Sequence, residues 1–239
     1  MRAERPRKVL MFYGRGLPYL RNLEMKGHLV VIEGPDSSGR STQVALLTQH
    51  LEAAGHAVLN TGLKRSELIS QGIIDAKRSL GIGRRTLSLF YAADFADQLE
   101  NKIIPALQAG LIVLADRYTY TLMARDAVRG LSRRWCHEVY GFAVIPELVF
   151  YLDVPPEELV HRVFLTRSSL DYYESGMDMG LSDQMYGSFV LYQKMIAREF
   201  RRMQRNYGLI SVNASRSVEE ISQDLQARVD SFLAGTKPR

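Results

Sequence analysis

Apolar residues along this chain fall into short runs separated by longer stretches of helical spacing. The runs cover residues 29–32, 57–60, 111–115, 148–152 and 209–212. The most apolar of them lack the polar alternation of a half-exposed strand, and so read as strands buried on both faces. Between them, Val44, Leu47 and Leu51 share one helical face, and Gly55 is a natural stop. Residues 67–77 repeat the pattern with Leu68, Ile69, Ile73 and Ile74. A longer helix is predicted from about Arg85 through Leu89, Phe90 and Ala93 toward Pro105, where the missing N–H and the ring should kink or restart it. Further helices are predicted over 121–128, 132–142 and 184–205. Glu157 and Glu158 suit the first turn after Pro155-Pro156, and Ser217 with Glu220 forms a capping box for a last helix. Strand and helix alternate as in a parallel sheet with crossover helices. The rhythm breaks over residues 167–183, polar and glycine-punctuated, which is the best candidate for a mobile segment.

Composition narrows this picture. The chain has 239 residues, 46% hydrophobic and 24% charged, which suits one globular core. No apolar run approaches the roughly 20 residues of a membrane span, and no secretory signal is expected. Cys136 is the sole cysteine, so no internal disulfide forms and a reducing cytoplasm is the expected setting. The net charge of +5 is concentrated in residues 1–27, where seven arginines and lysines face only Glu4 and Glu24. A basic arm of this kind reads as a solvated tail or as a contact for an acidic surface; nucleic acid is not the expected partner. Its apolar residues 9–13 could dock on the domain. Met25 begins a stretch complete enough to start the fold, so the arm reads either as an added segment or as a misassigned start.

The loop after the first strand carries the strongest chemical signal. From Gly34 to Ser41 it reads G-P-D-S-S-G-R-S, two glycines five apart followed by a basic residue and a hydroxyl, with Arg40 where the phosphate-loop pattern has lysine. The glycines let main-chain N–H groups curl into a nest, and the helix behind it points its positive end into the same space. Phosphate oxygens are favoured there, and Ser41 is placed to ligate magnesium; an ordinary turn is the alternative. Asp116, Arg117 and Tyr118 follow a strand expected beside the first, at the carboxyl ends where open parallel sheets bind ligands. The acid suits a hydrated metal and the arginine fork a second phosphate, unless the two merely pair with each other. Arg162 and Arg167 flank the polar segment. On a closing flap they would bring cations to a transferring phosphoryl group, and otherwise they lie on a solvated helix face.

Taken in order, IEGPDSSGRSTQ, LFYAADFADQ, LIVLADRYTYT, LVFYLDVPPEEL and ISVNASRSVEE resemble the thymidylate kinases, phosphate-loop (P-loop) nucleoside monophosphate kinases, over residues 26–239. The resemblance implies a three-layer α/β P-loop NTPase fold over 28–239, with a five-stranded parallel sheet flanked by helices and a small lid at about 162–183. It implies ATP as donor, Mg2+ as cofactor, a nucleoside monophosphate such as thymidylate as acceptor, and a homodimer. Gly34, Pro35, Asp36, Ser37, Ser38, Gly39, Arg40, Ser41 and Thr42 would cradle the ATP phosphates, with Ser41 and Asp116 at the metal. Asp36 would also meet the acceptor's sugar hydroxyl, and Arg117 its 5′-phosphate. Tyr91 falls where the family stacks an aromatic ring on the base, and Thr121 matches a small hydroxyl residue of the acceptor pocket. Arg162 and Arg167 fall around the lid, and residues 213–215 near the adenine.

Departures from the pattern matter as much. Phe95 replaces an arginine that reads the base, and Leu122 a polar or small residue, so thymine selectivity should weaken. The R-E-P-G-G segment after the second strand is absent. In the lid, Asp171-Tyr172-Tyr173-Glu174 keeps the acidic ends of a D-R-x-E element without its arginine. Arg40 is a wider, planar fork than lysine and should bind phosphates while altering turnover. A nucleotide-binding regulatory module with weak or no kinase turnover is therefore one alternative. A nucleic-acid-associated protein using the basic arm, with salt-sensitive binding, is another.

Overall fold

The computed structural model describes residues 24–78, 81–166 and 170–235. The five apolar runs form β1 (His28–Glu33), β2 (Val58–Gly62), β3 (Ile112–Asp116), β4 (Leu148–Asp153) and β5 (Ile210–Asn213). They pair in parallel in the order β2-β3-β1-β4-β5. Both faces of the sheet are covered, which explains why the strands read as continuous apolar runs. Leu29 and Val31 enter one core layer with Val113, Ala115 and Val149, while Val30 and Ile32 enter the other with Leu114, Phe150 and Leu152.

The second layer is closed by α1 (Arg40–Ala53), α7 (Pro156–Thr166) and α9 (Val218–Gly235), through side chains such as Leu47, Leu159 and Leu225. Each fully buried leucine of this kind stabilises the fold by roughly 1.5–3 kcal/mol. The first layer packs α3 (Arg84–Gln98), α5 (Thr119–Val128), α6 (Arg133–Tyr140) and α8 (Met185–Tyr207) through Phe95, Leu122, Tyr140 and Phe200. Capping by Ser217 and Glu220 is present in both directions, at 2.9 and 3.2 Å. Cys136 is buried, which pushes its thiol up to about 12.

Several boundaries differ from the sequence pattern by a few residues. α2 spans Ser70–Arg78, and the turn before it from residue 67 is capped by Ser66 Oγ, which accepts the N–H groups of Leu68 and Ile69. Before Pro105 the helix widens into a π-turn, Leu99–Ile103, and continues as α4 (Ile104–Gln108); the proline is absorbed by this bulge rather than by a break. α5 begins two residues before Thr121, and α6 stops at Tyr140.

Of the stretch 167–183, expected to be mobile, the described part 170–183 carries a dense set of bonds. Asp171 Oδ1 accepts the N–H groups of Tyr173 and Glu174 at 2.9 and 3.0 Å, and Asp171 Oδ2 meets Lys77 Nζ of α2 at 3.0 Å. Arg129, just after α5, donates to Asp178, the Tyr173 carbonyl and Tyr192 Oη at 2.7, 2.8 and 2.9 Å. Arg167 and the basic residues 1–23, including the apolar 9–13, lie outside the described residues. Among the described residues, no helix is long and apolar enough to cross a membrane.

Candidate active site

β1 ends at Glu33 and α1 begins at Arg40, so residues 34–39 cross the carboxyl end of the central strand. Ser37 and Gly39 adopt left-handed backbone conformations, φ 62° and 91°, that curl the loop into the first turn of α1. The first helical bond runs from Gln43 N–H to Gly39 O, which leaves the N–H groups of Arg40, Ser41 and Thr42 without intrahelical partners. Ser38 Oγ is buried and unpartnered, and α1 has no acid in its first turn. Free amides, an orphan hydroxyl and the positive helix end together favour phosphate oxygens.

β3 delivers the next groups. Asp116, in register with Ile32 of β1, accepts Ser41 Oγ at 2.9 Å and Arg40 Nε at 2.8 Å. The Ser41 hydroxyl and Asp116 carboxylate are hard oxygens close enough to share one cation. Among the described residues no cluster of three or more His, Cys, Asp or Glu forms an all-protein cage. The donor set therefore fits Mg2+, which takes one or two protein oxygens and completes its shell with phosphate and water. β2 is held close by Gly62, whose added Cβ would stand 2.5 Å from the Asp116 carbonyl.

Three guanidinium groups converge on Asp36. Arg117 Nη2 donates to Asp36 Oδ1, Arg125 Nη2 stands 3.4 Å from Oδ2, and Arg40 Nη2 lies 3.8 Å from Oδ1. Burial alone would raise the Asp36 carboxyl, but Arg117, Arg125 and Arg40 hold it well below the usual carboxylate range. The excess of cations makes the site anion-seeking. Arg117 holds a left-handed φ of 72°, a strain of about 1 kcal/mol or more, and its Nε is buried without a partner. Beneath them Glu33 is wholly buried and accepts the N–H groups of Tyr118 and Thr121 at 2.9 and 3.2 Å and the Thr121 hydroxyl. Burial outweighs these bonds and raises the Glu33 carboxyl to about 7.

Two clefts run side by side from this cluster. One is lined by Pro35, Asp36, Arg117, Thr121 and Arg125; the other by Leu87, Tyr91, Leu122, Arg125, Asp126 and Tyr173, and both are narrow. Arg125 borders both. The structure thus brings together Gly34, Asp36, Arg40, Ser41, Asp116, Arg117 and Thr121, and sets Tyr91 in the adjoining cleft. It separates others. Phe95 sits in the core, edge-on to Tyr118 at 4.9 Å and beside Phe142 at 5.5 Å, and lines neither cleft. Thr121 spends its hydroxyl on Glu33. Arg40 turns its Nη1 back onto the Gly34 and Pro35 carbonyls, so its fork is held by protein oxygens. Arg162 bonds Glu158 and the Ala214 carbonyl, both at 2.6 Å, beside residues 213–215 rather than at the loop.

Glu33, Arg125, Asp126 and Arg129 were missed by reading the sequence as motifs. Their signal was available in part: Leu122, Arg125, Asp126 and Arg129 follow each other at helical spacing directly after the Asp116-Arg117-Tyr118 triplet. Polar residues repeating on a helix face that leaves such a triplet point toward the ligand as readily as toward water.

A parallel α/β sheet with an anion nest at its central strand, and a guanidinium-lined cleft beyond the neighbouring strand, defines the class as a P-loop protein built to handle two phosphate groups. The family model for thymidylate kinase matches residues 32–225. A probable thymidylate kinase of Pyrococcus abyssi is 34% identical over 220 residues, covering 88% of this chain and all of the relative. Probable thymidylate kinase 2 of Saccharolobus solfataricus is 31% identical over 210 residues, 87% of this chain and 98% of that one. The thymidylate kinase of Shouchella clausii is 28% identical over 222 residues, 89% and 99% respectively. The chain belongs to the thymidylate kinase family.

Proposed function

We propose that this protein transfers the γ-phosphoryl group of ATP to the 5′-phosphate of thymidylate, giving dTDP and ADP. The observation that carries the reading is the meeting, at Asp36, of the anion nest of residues 34–42 with the separate cleft of Arg117. Such a junction would hold donor and acceptor phosphates end to end. An acceptor phosphate oxygen attacks the γ-phosphorus in line while the bond to the β–γ bridging oxygen breaks. The amides of residues 34–42 hold the donor, and Ser41 with Asp116 would hold Mg2+, which would supply positive charge to the donor phosphates. Arg117 binds the acceptor phosphate, while Asp36 orients the guanidinium groups and accepts from a sugar hydroxyl. Closing of the segment around 162–183, bringing Arg162 and Arg167 toward the transferring group, belongs to the same proposal, as do a cytoplasmic setting and a homodimer.

A panel of nucleoside monophosphates with ATP and Mg2+, scored for diphosphate product, tests this directly. Thymidylate should turn over. Binding of ATP without any diphosphate product would instead support a regulatory module. Arg40 would also neutralise the β- and γ-phosphates of the donor; if Arg40→Lys leaves nucleotide affinity and rate both untouched, that role is wrong. Sedimentation at micromolar concentration tests the dimer.

A further inference from the structure

The thymidylate reading leaves one question that Phe95 sharpens: with that ring in the core, another group must read the base. α5 runs along both clefts, from Thr121 beside Arg117 to Arg125 at the shared wall, with Arg129 at the far end just past its last residue. Eight residues of helix rise about 12 Å, roughly the span of a phosphate, a sugar and a pyrimidine ring laid end to end. If the phosphate lies at Arg117, the ring lies in the cleft of Tyr91, Leu87, Leu122 and Tyr173. Those apolar and aromatic side chains can cover its faces. The polar groups of the same cleft are Lys77, Arg125, Asp126, Arg129 and Glu174, and of these Asp126 is the buried acid.

Asp126 is 6% exposed, and its two oxygens are unequal. Oδ2 accepts both the Ser88 hydroxyl and the Tyr140 hydroxyl, the latter at 3.0 Å, and Ser88 Oγ in turn accepts Trp135 Nε1 at 3.0 Å. Oδ1 has no partner among the described residues, although the residue borders the cleft. Two hydroxyl donors aimed at one oxygen keep the group an acceptor and fix its orientation. Oδ1 is open to water at the cleft, and a ligand N–H would take the place of that water, whereas a ligand without one would leave the carboxylate oxygen unpaired. Donors stand nearby in the same cleft: Arg125 makes one bond, to Asp36, and Lys77 makes one, to Asp171. Arg129 is spent on Asp178, Tyr173 and Tyr192 and is not available. Glu174 is the second carboxylate of this cleft, but it stands on the segment after residue 170, whereas Asp126 shares α5 with Arg125; Asp126 with donors beside it complements an N–H flanked by carbonyls, the edge of thymine or uracil. Cytosine would set the lone pair of its N3 against the carboxylate.

We propose that Asp126 is the specificity-determining residue of the acceptor site, with Oδ1 accepting the N3–H of a thymine or uracil ring. The inference rests on the thymidylate kinase reading above. Its test compares kcat/KM for dTMP, dCMP and the N3-methyl analogue of dTMP in the full-length protein and in Asp126→Asn. Asn can still accept from Ser88 and Tyr140 but offers an N–H where Oδ1 was. The variant should lose about 30-fold for dTMP, mostly in KM, while dCMP is unchanged or improves, so that the preference collapses or inverts. A merely structural Asp126 would lower both substrates together, and that result, or an unchanged dTMP to dCMP ratio, overturns the proposal.

Should Asp126→Asn fail to unfold cooperatively, the unmodified protein decides. At least about 30-fold weaker use of the N3-methyl analogue supports the assignment, and equal use of the two overturns it. If the unmodified protein makes dTDP but the ratio is insensitive to position 126, only this inference fails. If it makes none, the thymidylate reading fails first and takes the inference with it.

Discussion

At the proposed phosphate end of the paired clefts charges are tied to one another, whereas at the proposed base end the Asp126 Oδ1 oxygen has no protein partner among the described residues. Asp36 gathers Arg117, Arg125 and Arg40, and Asp116 gathers Arg40 and Ser41. Asp126 is held from behind by hydroxyls and faces Leu122 and Tyr91. The first arrangement suits a ligand group that is always the same, a phosphate, and can afford redundancy. The second suits a group that must be told from its competitors, because a single unpaired acceptor penalises a base lacking the matching N–H.

Four variants probe this contrast, in falling order of effect. Arg117→Ala removes the guanidinium with the orphan Nε, and kcat/KM for the acceptor should fall about 1,000-fold, near 4 kcal/mol. Steady-state kinetics with varied monophosphate check it, and a loss under tenfold would mean that Arg125 carries the phosphate instead. Phe95→Arg, nominally a return to the family pattern, should cost about 3–5 kcal/mol of stability in denaturant titrations by burying an unpaired charge against Tyr118 and Phe142. A stable variant with improved use of thymidylate would move the base-reading group back to position 95.

Glu33→Gln addresses the layer beneath the phosphate end. The native carboxyl sits at about 7 against 4.5 for the free group, so it favours the folded state fully only below the unfolded value, and this contribution is lost as pH rises through 7. Relative to the Gln variant, the unmodified protein should lose roughly 3 kcal/mol between pH 4.5 and 7.5. Unfolding midpoints across that range measure the difference, and a constant offset would show that the three donors keep Glu33 ionised. Ser217→Ala, outside both clefts, sets the scale of an ordinary polar deletion at about 1 kcal/mol in thermal unfolding.

The phosphate end was readable because its chemistry is contiguous. Residues 34–42 and 116–117 are short motifs at strand ends, and their pairing follows from β1 lying beside β3. All five strands, and the cap at Ser217, could be placed for the same reason, since periodicity and capping are local properties. The base end could not be read this way. It draws Ser88 from α3, Asp126 from α5 and Tyr140 from α6, and no spacing in the chain announces that they meet. Phe95 shows the converse: aligned with a functional position, it is turned inward by neighbouring rings that no motif records. Thr121 likewise matches a family position while its hydroxyl serves Glu33.

Arg129 has one more implication. Its guanidinium rivets residues 173 and 178 to the end of α5 and to Tyr192 in α8. The proposed closing of this segment, fastened as it is to two helices of the main body, would therefore carry those helices with it. Entry and exit at the base end then require α5 and α8 to breathe as a unit, so amide exchange over 171–180 should keep pace with exchange in those helices, and the tempo of substrate traffic is set by the body of the molecule.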